Sequence, residues 1–144
     1  MSIDANVQLM RRWFQEVWNE GRVETVHELL HPNAVAKGQR GAEEEIRGPE
    51  KFVEFVQQIR GAFPDIHIKV EDVFGAGDKV VLRWSGTMTH TGHGIGFPPS
   101  GRAVHSRGIT IAKFVDGQIV EGWDNWDQLG MLEQIGAYKQ PLAA

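Results

Sequence analysis

The chain contains no cysteine. This excludes disulfides, thiolate metal sites and a cysteine nucleophile together, and it fits a reducing compartment. Tyrosine occurs once, at Tyr138, beyond the segments that read as strands. No apolar run approaches the ~20 residues that cross a bilayer. The opening Met-Ser-Ile-Asp-Ala-Asn lacks the basic and apolar stretches of a signal peptide. A cytoplasmic location with no membrane partner is therefore expected. Basic residues are not in excess either. The formal charge is -4, with both signs interspersed, which argues against nucleic acid as a partner. Phosphate-binding glycine loops, serine nucleophile elbows and metalloprotease motifs are missing, and nothing in the chain calls for a cofactor.

What is present is an ordinary globular composition, 41% apolar and 24% charged over 144 residues. That length suits one domain over 1–144 with a sizeable core. Asp4 is placed to cap a first helix, in which Val7, Met10, Trp13, Phe14, Val17 and Trp18 recur at helical spacing. Gly21 suits its left-handed end. A short helix is predicted over 23–30, stopped by His31-Pro32. An edge strand is expected around 34–37. The acidic Glu43-Glu44-Glu45 reads as a solvated run. Pro49 opens a third helix, whose buried stripe includes Phe52, Phe55, Val56, Ile59 and Phe63.

From Ile66 the apolar period changes to alternation. Strands are predicted from 66 to about 70 and over 79–90, 104–115 and 118–126, with a turn at 75–78 and a tight hairpin at Asp116-Gly117. A closing helix is predicted over 127–137, followed by a tail from 140. Helices followed by hairpin-linked strands make an α+β fold. Gly86 and Gly108 within strands are expected to mark bulges or bends. A curved antiparallel sheet, with helices over its open side, encloses an apolar pocket.

His31-Pro32, the run Gly48 to Phe52, Ala62-Phe63-Pro64-Asp65, the run Gly96 to Arg102 and the run Val115 to Asp124 resemble motifs of the SnoaL-like polyketide cyclase family. That family lies within the nuclear-transport-factor-2-like superfamily, and the resemblance covers nearly the whole chain. It implies a cone-shaped helix-and-sheet fold. It also implies an acid/base aspartate at Asp124. Some members carry a histidine where this chain has Thr110, so a hydroxyl replaces an imidazolium, a stronger polarising partner for a carbonyl.

Alternation reaches Asp124 independently. Val120, Gly122, Asp124 and Trp126 share one strand face. A carboxylate among such neighbours is poorly solvated and more basic than the ordinary ~3.9. Asp127, on the opposite face, reads as the cap of the last helix. His105 and Arg107 share a face of the preceding strand and are candidate catalytic partners that could hold an enolate. Ser106, Gly108, Thr110 and Ala112 share the other face, and alternation alone leaves open which set lines the pocket. Candidate substrate-binding residues are Trp126, Thr110, Trp84, Phe97, Phe55 and Ile59. Residues 91–100, with Ile95, Phe97, Pro98 and Pro99, read as an apolar lid or rim. His90 and His93 have no carboxylate or cysteine nearby, so the segment reads as a solvated loop with no metal.

The function expected is cofactor-free acid/base catalysis on a polyketide-like or otherwise apolar carbonyl compound, as aldol ring closure or a related lyase or isomerase step. Two alternatives stand beside it: a non-catalytic small-molecule binding module, and an epoxide hydrolase of the same superfamily. The latter calls for an Arg-x-Asp pair, and Arg107-Gly108-Ile109 lacks the aspartate. The expected partners are a small apolar or aromatic ligand and a second copy of the chain, docked through the outer sheet face.

Overall fold

The computed structural model describes residues 1–41 and 43–139, so the predicted tail from 140 lies outside the described residues. Helix α1 spans Ile3–Trp13. Its cap is Ser2, whose hydroxyl accepts the Ala5 N–H at 3.1 Å, rather than Asp4. The helix then widens into a π-helical stretch, Phe14–Asn19. On a plain α-helix, Trp13 and Trp18 would point roughly 140° apart. The wider turn brings both onto the face that meets the pocket. Helix α2 is Val23–Leu29, α3 is Gly48–Ala62 and α4 is Gln128–Gln134. Asp127 caps α4, accepting from Gly130 N–H at 2.9 Å.

The strands are β1 (Leu30–Lys37), β2 (Glu45–Arg47), β3 (His67–Ala76), β4 (Lys79–Thr89), β5 (Ala103–Val115) and β6 (Gln118–Trp126). They form one open, curved six-stranded sheet in the order β2-β1-β6-β5-β4-β3. The α+β class holds, with two corrections. The strand expected at an edge is interior, because β1 pairs with β6 on one side and β2 on the other. The β1–β6 pairing is also parallel, so the sheet is not wholly antiparallel. Asp116 and Gly117 both have positive φ, as a primed hairpin turn requires.

The register breaks fall elsewhere than at the strand glycines. Register shifts fall between Val70 and Asp72 in β3 and between Lys113 and Phe114 in β5. Gly86 and Gly108 keep regular pairing and make room instead. A Cβ at Gly108 would lie 2.6 Å from Trp84 Cζ2 and 2.9 Å from Trp126 Cβ. One at Gly86 would lie 2.8 Å from Ile68 Cδ1.

The concave face of the sheet meets α1, the π-helical stretch, α2 and α3 around a single core. Burial of Val80, Leu82, Val104, Ala112 and Phe114 from the sheet, against Met10, Val17, Val26 and Val56 from the helices, drives this closure. Polar ties hold the rim. Asn19 pairs with the backbone of Ile68 through both ends of its amide, at 2.6 and 2.9 Å. Arg60 of α3 donates to Trp18 O at 2.5 Å. Beyond the end of β6, the free edge of β5 is taken up by α4 and its cap. Gln134 exchanges two hydrogen bonds with the His105 backbone, and Asp127 N–H donates to Arg107 O. Among the described residues no helix is long and apolar enough to cross a membrane.

Candidate functional site: a half-buried carboxylate in an aromatic pocket

Because strand side chains alternate, the register decides what the cavity sees. Gly108 lies opposite Trp126, Thr110 opposite Asp124, and Trp84 opposite Gly108. These residues share the concave face. Helix α3 covers them with Phe52, Phe55 and Ile59, and the first helical segment with Trp13, Phe14 and Trp18. The result is a cavity of about 70 Å³. A cavity that admits benzene measures about 150 Å³, so a ring-bearing ligand enters only as lining side chains move. The aromatic wall is braced edge to face, with Trp13 5.2 Å from Phe52 and Trp18 5.8 Å from Phe55. Such pairs hold flat apolar surfaces in place.

Asp124 is the one ionisable group among the described residues that line the cavity. Thr110 Oγ1 donates to its Oδ1 at 2.9 Å. Burial pushes its carboxyl up from 3.8 to about 6, and the threonine hydroxyl opposes this only in part. Desolvation outweighs a single neutral donor, as expected where few dipoles replace water.

Three further polar atoms at this cavity are buried and have no hydrogen-bond partner among the described residues: Trp84 Nε1, Ser106 Oγ and Gln39 Oε1. Gln39 was not singled out from the sequence. It sits in the loop after β1, where Gly38 has φ +92° and any Cβ would run into the Asp124 carbonyl oxygen. The Gln39 carbonyl accepts from Trp126 Nε1 and Gln128 Nε2, each at 2.9 Å. A glycine followed by a polar residue past a strand was the available signal, but nothing local tied it to Asp124.

The structure gathers Asp124, Thr110, Trp126, Trp84, Phe55 and Ile59 in the cavity wall. It does not bring His105 and Arg107 there. Both are exposed on the convex face, because Ser106 and Thr110 take the concave parity. The epoxide-hydrolase alternative thereby loses its arginine. Phe97 is also outside the wall and 39% exposed. The loop is pressed against the end of α3, with Gly92 N–H donating to Ala62 O at 3.1 Å. Its glycines allow that close approach, and residues 97–99 are left facing solvent. Only Ile95 of its apolar residues packs on the core.

His90 is fully buried rather than solvated. It packs on Phe63, and its Nδ1 accepts the Ser100 N–H at 3.1 Å. Burial, with His93 nearby, holds its imidazole below the ordinary histidine range. Among the described residues no group of three potential ligands is placed to hold a metal.

Comparison with known proteins bears on the family and the fold. The family model for SnoaL-like polyketide cyclase matches residues 8–135. The chain is 29% identical to an aklanonic acid methyl ester cyclase of Streptomyces peucetius, over 93% of this chain and 92% of that protein. It is 30% identical to the nogalonic acid methyl ester cyclase of Streptomyces nogalater, over 83% of this chain and 89% of that one. Among solved structures, a protein of Jannaschia sp. CCS1 assigned to the SnoaL-like cyclases superposes with a TM-score of 0.87 at 27% identity, covering 96% of this chain and 97% of its own. These relatives support a cyclase-type enzyme. The chain belongs to the SnoaL-like polyketide cyclase family.

Proposed function

We propose that the protein closes a ring in a polyketide-like carbonyl compound by cofactor-free acid/base catalysis, with Asp124 as the base. The observation that carries this is one desolvated carboxylate in an aromatic cavity, its carboxyl pushed up to about 6. A base is most effective when its pKa lies near the working pH. Asp124 takes a proton from a carbon next to a carbonyl, and the C–H electron pair moves onto the carbonyl oxygen as an enolate. The enolate carbon then attacks a second carbonyl carbon of the same molecule. A C–C bond forms, the second oxygen becomes an alkoxide, and it recovers the proton from Asp124. Atoms balance, so the product is an isomer of the substrate. The aromatic wall folds the chain so that the reacting carbons meet, and it keeps water away from the enolate.

The test is incubation of the purified protein with a panel of partly cyclised aromatic polyketide esters, followed by chromatography with mass detection. The expected result is a new peak of unchanged mass that Asp124→Asn fails to produce. Ring closure at an equal rate in the Asn variant would overturn the reading.

A further inference from the structure

The polar atoms of the cavity divide into those already engaged and those left over. The Thr110 hydroxyl is given to Asp124, and the Trp126 indole N–H is given to the Gln39 carbonyl. Two donors remain without partners among the described residues, Trp84 Nε1–H and Ser106 Oγ–H. Both side chains are more than nine-tenths buried, at 8% and 6% exposure, and both line the cavity.

Their placement is specific. Trp84 is paired with Gly108 and Gly86 with Ser106, which makes Trp84 and Ser106 diagonal neighbours on adjacent strands. The indole lies over Gly108, where the missing Cβ leaves room for Trp84 Cε2, 2.8 Å from that position. Since Cε2 carries Nε1, the N–H sits over the middle of β5. Thr110 and its carboxylate partner Asp124 are one step further along the same face. A buried donor with no acceptor is unfavourable unless a water or a ligand supplies one.

We propose that Trp84 Nε1–H and Ser106 Oγ–H form the site that receives the substrate's carbonyl oxygen as it becomes an enolate, across from the Asp124 carboxylate. This rests on the ring-closure reading above and adds its missing half. Fixed donors aimed at a developing oxyanion, in a site that excludes water, stabilise the charge where it forms. The ligand class that fits is an oxygen anion on an unsaturated carbon, namely an enolate or its stable mimic, a phenolate.

The test uses 4-nitrophenol as the probe and Asp124→Asn as the host, since the amide mimics the protonated acid left after proton transfer. Absorbance reports how much of the bound probe is phenolate. The expected result is that bound probe is ionised at a pH where free probe is mostly phenol. Adding Trp84→Phe or Ser106→Ala should each lower the bound ionisation constant by about tenfold. In the wild-type fold, the Trp84 indole ¹H–¹⁵N resonance, assigned by its loss in Trp84→Phe, should move on adding probe. The Trp126 resonance, already bonded to Gln39, should stay. Failure of the probe to bind, a bound ionisation equal to that in solution, or no change in either variant would overturn the proposal. Because the probe is read in a protein without the Asp124 carboxylate, the two readings separate. Full turnover in Asp124→Asn with intact probe ionisation would remove the base and leave the donors.

Discussion

Ionising Asp124 places a negative charge among indole and phenyl rings with one hydroxyl donor, whereas in the unfolded chain water surrounds it. The folded carboxyl therefore binds its proton more tightly, at about 6 against 3.8. Because the folded value is the higher one, its contribution to stability is fully present below about 3.8 and is lost as pH rises through about 6. The whole loss amounts to roughly 3 kcal/mol, at 1.36 kcal/mol per pKa unit. Asp124→Asn is predicted to melt at a higher temperature than the parent at pH 8 and at nearly the same temperature at pH 4. Equal melting temperatures at both values would contradict the burial argument. The same substitution should lower turnover about 10²–10⁴-fold. Thr110→Val removes the donor that favours the ionised form, so the acid limb of the kcat/KM profile should move to higher pH. A profile that stays in place would mean that the hydroxyl does not act on the base.

At the scale of elements, much of the architecture was legible because it rests on local rules. Pro49 at the start of α3, Asp127 before α4, the Asp116-Gly117 turn and the alternation in β4 to β6 each carry their own signal. The parallel pairing of β1 with β6 carries none, since it joins segments about 85 residues apart and no turn links them. Parity in β5 was equally silent. His105 and Arg107 attract notice as chemistry-bearing side chains, yet Ser106 and Thr110 are the ones that face the cavity, and Gly108 is what admits Trp84. The loop at Gly38 and Gln39 acts only through the distant Asp124 backbone. Gly38→Ala adds a methyl group against that carbonyl at a positive φ, so it is predicted to destabilise the fold by about 1–3 kcal/mol through backbone strain. Urea denaturation measures this, and an unchanged midpoint would show that the loop yields.

For the molecule as a whole, the sheet separates two surfaces of different character. On the outer face Val81, Ile111 and Trp123 stand in one row across β4, β5 and β6, with Ile109 exposed beside them. Lys79 lies over the Trp123 ring at 5.4 Å, and Lys37 pairs with Glu121 at 2.9 Å. An apolar row rimmed by charges is the usual make-up of an interface. We propose a two-fold homodimer through this face, burying more than roughly 1,000 Å². Light scattering at micromolar concentration should return twice the chain mass, and the mass of one chain would reject the dimer. Lys substituted for Ile111 should yield the monomer.

The inner surface holds the central claim, that the fold desolvates one carboxylate and so makes it a base. The most direct measurement follows the ¹³Cγ resonance of Asp124 through a pH titration of the wild-type protein, with the assignment made by its loss in Asp124→Asn. A midpoint at about 6 is predicted; a midpoint at or below the ordinary aspartate value of about 3.9 would contradict the account.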